Sequence, residues 1–311
     1  MIRLVIVNPY SGNRRGEKYA KTVKKIFVDL KKEYDIVYDD IYVEFTEYIG
    51  HATEIVLEYD AKFKNKQIVV YVIGGDGTLS EVVTAINGKD NISMVVIPKG
   101  TGNDFARCVN SYRSMRKIVK ASLENKPEKV DSILVNKKVA VNMINAGLDA
   151  AIAANLDKFR KIPLITGNMK YKLAIFYTVF LPKIYNLKIR IDERVIKGKF
   201  TLIAIGNNRC CGGVIDMIPK ADIQDGLLDI CIVKSVNLIQ KLMYLPKIMK
   251  GKHENLKVVE LCKGKKIAVS SNKKFPVSID GELTFIKGFR VKVSEKTLSV
   301  IKTLDKQRKI R

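Results

Sequence analysis

The sequence predicts an α/β domain built on a mostly parallel sheet, followed by a second domain rich in β-structure. Three observations carry this. Strand-like and helix-like segments alternate up to about Lys126. Two glycine-punctuated loops, at Gly74–Thr78 and Gly100–Asp104, each follow an apolar strand and lead into a helix. Beyond Pro127 the pattern turns to hairpin-like runs. A chain of 311 residues with 47% hydrophobic content is long enough for two cores. The expected divisions are 1–127, 128–290 and a basic C-terminal segment, 291–311.

Ile2–Val7 reads as the first strand, and Asn8-Pro9-Tyr10-Ser11-Gly12-Asn13 as the loop that leaves it, with short polar side chains offered to a helix start or a ligand. Glu17–Lys32 carries the apolar stripe of an amphipathic helix. Asp35–Thr46 ends in a second strand, and His51–Phe63 reads as a helix. Gln67–Ile73 is dense in β-branched residues, as a buried strand should be. It runs into Gly74-Gly75-Asp76-Gly77-Thr78-Leu79-Ser80, after which Leu79, Val82, Val83 and Ile86 recur at helical spacing.

Glycines at 74, 75 and 77 permit positive φ and let the backbone approach a ligand closely. The free N–H groups at the start of the following helix favour a phosphate, and the acid within the loop wants a cation or a proton. Nucleotide phosphates with a metal satisfy both. Asn91–Ile97 is the next strand, and it enters Pro98-Lys99-Gly100-Thr101-Gly102-Asn103-Asp104-Phe105-Ala106-Arg107. Loops at the carboxyl ends of neighbouring parallel strands share one crevice, so Asn8–Asn13, Thr46, Gly74–Thr78 and Gly100–Asp104 are expected to converge.

In the second half, strands are expected around Val130–Asn145, Leu187–Asn207, Gly226–Val233, Leu256–Ser270 and Val277–Val293. Helices are expected at Asp149–Phe159, Asn168–Tyr185 and Asn237–Lys250. The tail Lys302–Arg311 reads as basic and mobile.

The formal net charge is +24 and must find anions. An anionic membrane surface, or a surface that is merely lysine-rich for solubility, fits better than nucleic acid, because no helix-turn-helix, RNA-binding aromatic motif or zinc finger is present. Five cysteines without paired spacing read as free thiols in a reducing compartment. The two histidines leave no zinc-ligand cluster. The start of the chain shows no leader, and the densest apolar run, Leu173–Leu181, is too short to span a bilayer. The expectation is a cytoplasmic protein with peripheral membrane association.

Gly74-Gly75-Asp76-Gly77-Thr78 followed by Gly100-Thr101-Gly102-Asn103-Asp104-Phe105-Ala106-Arg107, and later by Asp280-Gly281-Glu282, resembles the diacylglycerol kinase catalytic-domain family. The likeness is to its soluble bacterial lipid kinases, with sphingosine and ceramide kinases as more distant relatives. It extends from Asn8-Pro9-Tyr10-Ser11-Gly12 through Asp222-Ile223-Gln224-Asp225-Gly226-Leu227 to Glu282. One departure is Ser80, where many members carry Asn. The resemblance implies a nucleotide-binding α/β domain, a C-terminal β-sandwich of the NAD kinase/diacylglycerol kinase-like kind, a tail at 291–311 that returns to the first domain, and ATP with Mg²⁺ as cofactors.

The resemblance also implies roles for individual residues. Asn8, Pro9, Tyr10, Ser11, Gly12, Thr46, Gly74, Gly75, Asp76, Gly77, Thr78, Leu79, Ser80 and Thr101 would contact ATP. Asn103 and Asp104 would orient metal-bound water or cap the next helix. Glu282 would accept the proton of a lipid hydroxyl, with Asp280 beside it and Asp76 as the rival base. From sequence alone Asp280-Gly281 is simply a hairpin turn. Asp222, Asp225 and the Leu227 carbonyl would form a separate cation site.

Lys158–Tyr185 mixes apolar and basic residues and reads either as a lipid-entry wall or as a core helix. The expected activity is phosphorylation of diacylglycerol to phosphatidic acid by a lipid kinase at an anionic membrane surface, with no nucleic acid partner. The sequence leaves open whether the chain acts alone or as a homodimer. A soluble kinase of a small metabolite such as NAD, or a non-catalytic nucleotide- or lipid-binding regulator, are the alternatives.

Overall fold

The computed structural model describes residues 1–34, 40–160, 167–181, 184–213 and 215–304. The start of the Asp35–Thr46 segment, parts of the Lys158–Tyr185 segment and the end of the basic tail therefore lie outside the described residues. The chain forms two compact units. One comprises Met1–Val130 and the stretch from Lys296 onward, the other Asp131–Glu295.

The first unit contains β1 (Ile2–Val7), α1 (Ser11–Arg14), α2 (Gly16–Tyr34), β2 (Ile41–Phe45), α3 (His51–Lys62), β3 (Ile68–Gly74), α4 (Asp76–Ile86), β4 (Ile92–Pro98), α5 (Ala106–Val109) and α6 (Met115–Glu124). Its sheet is parallel, in the order β2-β1-β3-β4. Every residue of β3 is buried, as a central strand covered on both faces requires. Val69, Tyr71 and Ile73 pack with Phe27 and Leu30 of α2 and Ile118 and Val119 of α6. The Phe27 and Tyr71 rings meet edge to face at 5.1 Å.

The chain steps from β1 outward to β2, then crosses back to β3 on the other side of β1. The strand order therefore reverses between β1 and β3, and in sheets of this kind the crevice at the carboxyl ends of the strands at that point takes the ligand.

The second unit contains the end of β5 (Glu128–Val135), then β6 (Lys138–Ala140), β7 (Met143–Gly147), α7 (Leu148–Arg160), α8 (Gly167–Val179), β8 (Tyr185–Ile191), β9 (Arg194–Gly206), β10 (Cys210–Cys211), β11 (Ile215–Asp216), β12 (Leu228–Lys234), α9 (Leu238–Met249), β13 (Val259–Gly264), β14 (Lys266–Ile279) and most of β15 (Glu282–Val300). Its strands are antiparallel. β9 pairs with β8 along its first half and with β7 and β12 along its second; β14 divides in the same way between β8 and β7.

Alternation sorts the side chains of this unit. Ile203, Ile205, Ile230 and Ile232 enter one core with Phe275 and Phe289. Leu202, Ala204, Cys231 and Val233 enter another, roofed by residues of α7, α8 and α9. The helix expected over Asn168–Tyr185 stops at Val179, and Tyr185 already belongs to β8. The inward residues Leu187, Ile189 and Ile191 recur with period two, which is a strand pattern. The basic segment expected at 291–311 begins as the second half of β15.

Candidate active site

The loops that leave β1, β3 and β4, together with Thr46 after β2, lie side by side at the carboxyl ends of the parallel strands. The Asn8 N–H donates to the Ile73 carbonyl at 3.0 Å, the Thr46 N–H to Val7 at 3.0 Å, and the Lys99 N–H to Gly74 at 2.8 Å. Asn8 Nδ2 also donates to Thr78 Oγ1 at 3.1 Å, tying the first loop to the start of α4. Asn8 Oδ1 accepts from the Tyr10 N–H, and Ser11 Oγ donates to the Asn8 carbonyl, so the side chains of this loop also hold its own turn.

Asp76 is the hub of the arrangement. Its Oδ2 accepts the Asn103 N–H at 2.7 Å and its Oδ1 the Asp104 N–H at 2.8 Å. Asn103 sits at φ +53°, a left-handed conformation that Asn tolerates better than most residues. Its side chain closes the same turn, accepting from the Gly100 N–H at 2.9 Å and donating to the Gly100 carbonyl at 2.7 Å. Phe105, fully buried, anchors the exit of the loop.

None of Gly74, Gly75 and Gly77 adopts a positive φ. The sequence-based expectation of conformational freedom is corrected here, because these glycines serve close approach instead. A Cβ on Gly74 would stand 2.7 Å from Thr78 Cβ, and one on Gly75 3.1 Å from Gly100 Cα. A Cβ on Gly100 would overlap Gly75 Cα. At Gly102 it would meet Asp76 Oδ2 at 2.8 Å, with Asp104 Oδ2 at 3.7 Å. Gly77 differs: nothing lies within 4 Å of its Cβ position. It stands exposed in the first turn of α4, where amides have no intrahelical acceptor. Leu79 is buried, Ser80 is half-buried, and Thr101 is exposed in the second loop.

Beside this crevice runs a groove of about 570 Å³, lined by Pro9, Tyr10, Ala20, Lys24, Phe45 and Thr46 among others. Its volume suits a small-molecule ligand. One residue here escaped the sequence reading. Lys99, half-buried, lies with its ammonium 4.9 Å over the Tyr19 ring, and burial pushes its pKa down. Its signal in the sequence was a single cation between Pro98 and Gly100.

Asp104 and Asp76 converge on Gly102 with hard oxygen donors, and each Asp76 oxygen keeps a lone pair beyond its amide bond. This fits a small divalent cation that takes one or two carboxylates and completes its shell with water and phosphate oxygens. Among the described residues no group of three or more His, Cys, Asp or Glu is arranged to hold a metal.

In the second unit, Ile279 pairs with Glu282 across a two-residue turn in which Asp280 (φ +46°) and Gly281 (φ +93°) are both left-handed. That geometry is the type I′ hairpin which Asp-Gly favours. The Asp280 carboxylate takes three successive amides: Val141 at 2.9 Å on Oδ2, and Asn142 at 2.9 Å and Met143 at 3.0 Å on Oδ1. Asp280 thus anchors the turn to the start of β7. Glu282, two residues on from Asp280, is exposed, with Lys138 Nζ at 3.5 Å.

At the expected cation site, Asp222 Oδ1 accepts the Gln224 N–H at 2.9 Å and Asp225 Oδ1 the Leu227 N–H at 3.0 Å. Asp225 Oδ2 takes Lys263 Nζ at 2.6 Å, and the same ammonium lies 3.4 Å from Asp229. Burial disfavours the charge on Lys263, but Asp225 and Asp229 together outweigh it and hold its pKa above the ordinary lysine value. A side-chain cation thus already sits at Asp225.

Two glycine loops, joined by one carboxylate at the carboxyl ends of a parallel sheet, mark a phosphate-binding site of the kind a nucleotide-using phosphotransferase needs. Comparison with known proteins agrees. The diacylglycerol kinase catalytic domain matches residues 3–135, and the YegS C-terminal NAD kinase beta sandwich-like domain matches residues 142–302. The chain belongs to the diacylglycerol kinase catalytic-domain family and is a lipid kinase.

Relatives named diacylglycerol kinase include one from Staphylococcus saprophyticus, 27% identical over 89% of this chain and 88% of its own length. Another, from Staphylococcus aureus strain bovine RF122, is 29% identical over 89% of this chain and 85% of its own. A crystal structure of a Bacillus anthracis str. Sterne diacylglycerol kinase shares the fold, with a TM-score of 0.70 at 22% identity, covering 97% of this chain and 96% of that one. As a kinase of this family the chain uses ATP as phosphoryl donor.

Proposed function

We propose that the chain transfers the γ-phosphoryl group of ATP to the free hydroxyl of diacylglycerol, giving phosphatidic acid, with Mg²⁺ as the divalent cation. The Asp76 carboxylate, fastening the Gly100–Asp104 loop beside the first turn of α4, carries the phosphate-binding half of this reading. The relatives' names supply the acceptor.

In the step itself the lipid oxygen forms a bond to the γ-phosphorus while the bond to the β-phosphate oxygen breaks, and ADP leaves. The unpartnered amides at the start of α4 receive phosphate oxygens, and Lys99 adds positive charge. Asp76 and Asp104 would hold the Mg²⁺, which would neutralise charge on the phosphates. The groove beside Thr46 accepts the nucleoside. Glu282 takes the hydroxyl proton. An exposed carboxylate free of backbone amides suits that task better than Asp76, each of whose oxygens already accepts an amide. Asp222, Asp225 and the Leu227 carbonyl offer a second place for a hard cation, which must share or displace Lys263.

The net charge of +24 draws the enzyme to anionic membranes from the cytoplasm, in a manner that weakens with salt. Among the described residues no helix is long and apolar enough to cross a membrane.

Labelled ATP offered with diacylglycerol, sphingosine, ceramide and NAD in anionic mixed micelles tests the reading. Diacylglycerol should be labelled, in a Mg²⁺-dependent manner that EDTA abolishes. Glu282→Ala should lower kcat by about 10²–10⁴-fold. Labelling of NAD with no lipid product would overturn the acceptor, and equal turnover by Glu282→Ala would overturn the base.

A further inference from the structure

We propose that the outward faces of α8 and α9 form the surface by which this enzyme seats on an anionic bilayer. The proposal rests on the lipid-kinase reading above and names the part of the second unit that meets the membrane. Both helices pack on one core. Ala174, Ile175 and Val179 of α8 are buried there, and Leu245 and Ile248 of α9 pack against the same cluster. Lys241, itself buried, joins them: its Nζ donates to the Leu181 carbonyl at 2.8 Å and more weakly to Val179 at 3.4 Å. Two helices fastened together over one sheet face turn their opposite sides the same way.

Those opposite sides are apolar. On α9, Ile239 is 69% and Met243 63% exposed, one turn apart, with Leu238 and Leu242 beside them. On α8 and just beyond it, Phe176 is 59% and Phe180 46% exposed, their rings 4.9 Å apart. A patch of this kind on a soluble protein marks an interaction surface.

Charge decides the occupant. No acidic residue occurs between Asp157 and Asp192, or between Asp229 and Glu254. Lys172, Lys247, Lys250 and Lys252 are exposed within these two stretches. Exposed apolar side chains on two stretches that carry lysines and no carboxylate match the acyl–headgroup boundary of an anionic leaflet. A second copy of the chain would oppose two surfaces of the same sign.

The chain contains no tryptophan, so Phe176→Trp installs a sole indole reporter. With vesicles of phosphatidylcholine and phosphatidylglycerol at roughly 7:3, its emission should shift to the blue and be quenched by lipids brominated along the acyl chain. Phosphatidylcholine vesicles should give a much smaller response. The double variant Ile239→Glu/Met243→Glu should partition onto the anionic vesicles on the order of tenfold more weakly. Its thermal midpoint, ATP affinity and turnover of a short-chain, water-soluble diacylglycerol should not change.

An unshifted indole, or unchanged partitioning of a folded double variant, would overturn the proposal. So would a sedimentation experiment showing a wild-type dimer that the double variant dissolves, because the face would then be a contact between copies. If the protein inserts into vesicles yet phosphorylates no lipid, the lipid-kinase reading fails and the surface stands. If lipid is phosphorylated and the double variant behaves as wild type on vesicles, only the surface fails.

Discussion

Replacing Asp76 by asparagine keeps the shape of the side chain and removes one acceptor. In the wild type both carboxylate oxygens are engaged, by the Asn103 N–H at 2.7 Å and the Asp104 N–H at 2.8 Å. An amide can accept only through its oxygen, so one of these donors would face an NH₂ group. A hydrogen bond to a charged acceptor contributes roughly 1.5–3 kcal/mol. At about 2–4 °C per kcal/mol for units of this size, Asp76→Asn should lower the Tm by roughly 3–12 °C. The loop from Gly100 to Asp104 would also lose its tether, and a displacement of about 1 Å in such a site costs on the order of 10²-fold in turnover. Scanning calorimetry paired with limited proteolysis reads the first effect, and kcat with diacylglycerol the second. An inactive variant with the wild-type Tm and no new cleavage near residue 102 would refute the tethering role and return Asp76 to a purely chemical one.

Gly77→Ala should fold with an unchanged Tm but bind ATP more weakly, because its Cβ position is empty of protein, whereas Gly100→Ala should lose both stability and activity through overlap with Gly75; calorimetry with nucleotide titration separates them. Asp280→Asn should lower the Tm by stranding at least one of three amides, while Glu282→Gln should leave the Tm alone and lower kcat, as steady-state kinetics and melting curves would show. His253 is fully buried, and burial pulls its pKa below the ordinary 6.5, with the Met217 carbonyl offsetting only part. Its contribution to stability is therefore complete above about pH 6.5 and lost as the pH falls below it, where the unfolded chain takes up the proton first; His253→Gln should flatten the Tm profile over that range. Lys263→Met frees Asp225, so if the turn at Asp222–Leu227 takes an ion, this variant should acquire a Tm that rises with added Mg²⁺ or Ca²⁺.

Much of this was legible in the sequence because it is local. The β-branched run before Gly74, the helical spacing from Leu79 to Ile86 and the second loop after Ile97 sufficed to place two crevice loops on a parallel sheet. The turn at Asp280-Gly281 was legible for the same reason. What escaped depends on partners far apart in the chain. Asp76 reaches residues 103 and 104 only because β3 and β4 pair in register from Ile68↔Ile92 to Gly74↔Pro98. Asp280 finds residues 141–143 only because β14 lies against β7. The buried Asn208 donates to Asn142 from 66 residues away, a contact that the sequence shows only as scattered asparagines, and the side-chain oxygens of the buried Asn145 and Asn207 have no hydrogen-bond partner. Of the two reasons the sequence offers for the glycines of the first loop, positive φ and close approach, only close approach holds, because both leave the same sequence trace.

β15 starts at Glu282 in the second unit and runs unbroken to Val300, where it pairs in parallel with β4 at Met94, in the first. Gly88 and Met94 then bond to Thr297 and Ile301, and Thr303 bridges Val109 and Ser111. Seen from the ribosome, this means the nucleotide-binding unit cannot finish its own sheet when its first 130 residues emerge. It must wait for the intervening unit to be synthesised and for the strand beyond Glu282 to come back. The strand that carries the acid proposed as base is thus the same strand that completes the phosphate-binding sheet, and a chain truncated before Glu282 would hold neither.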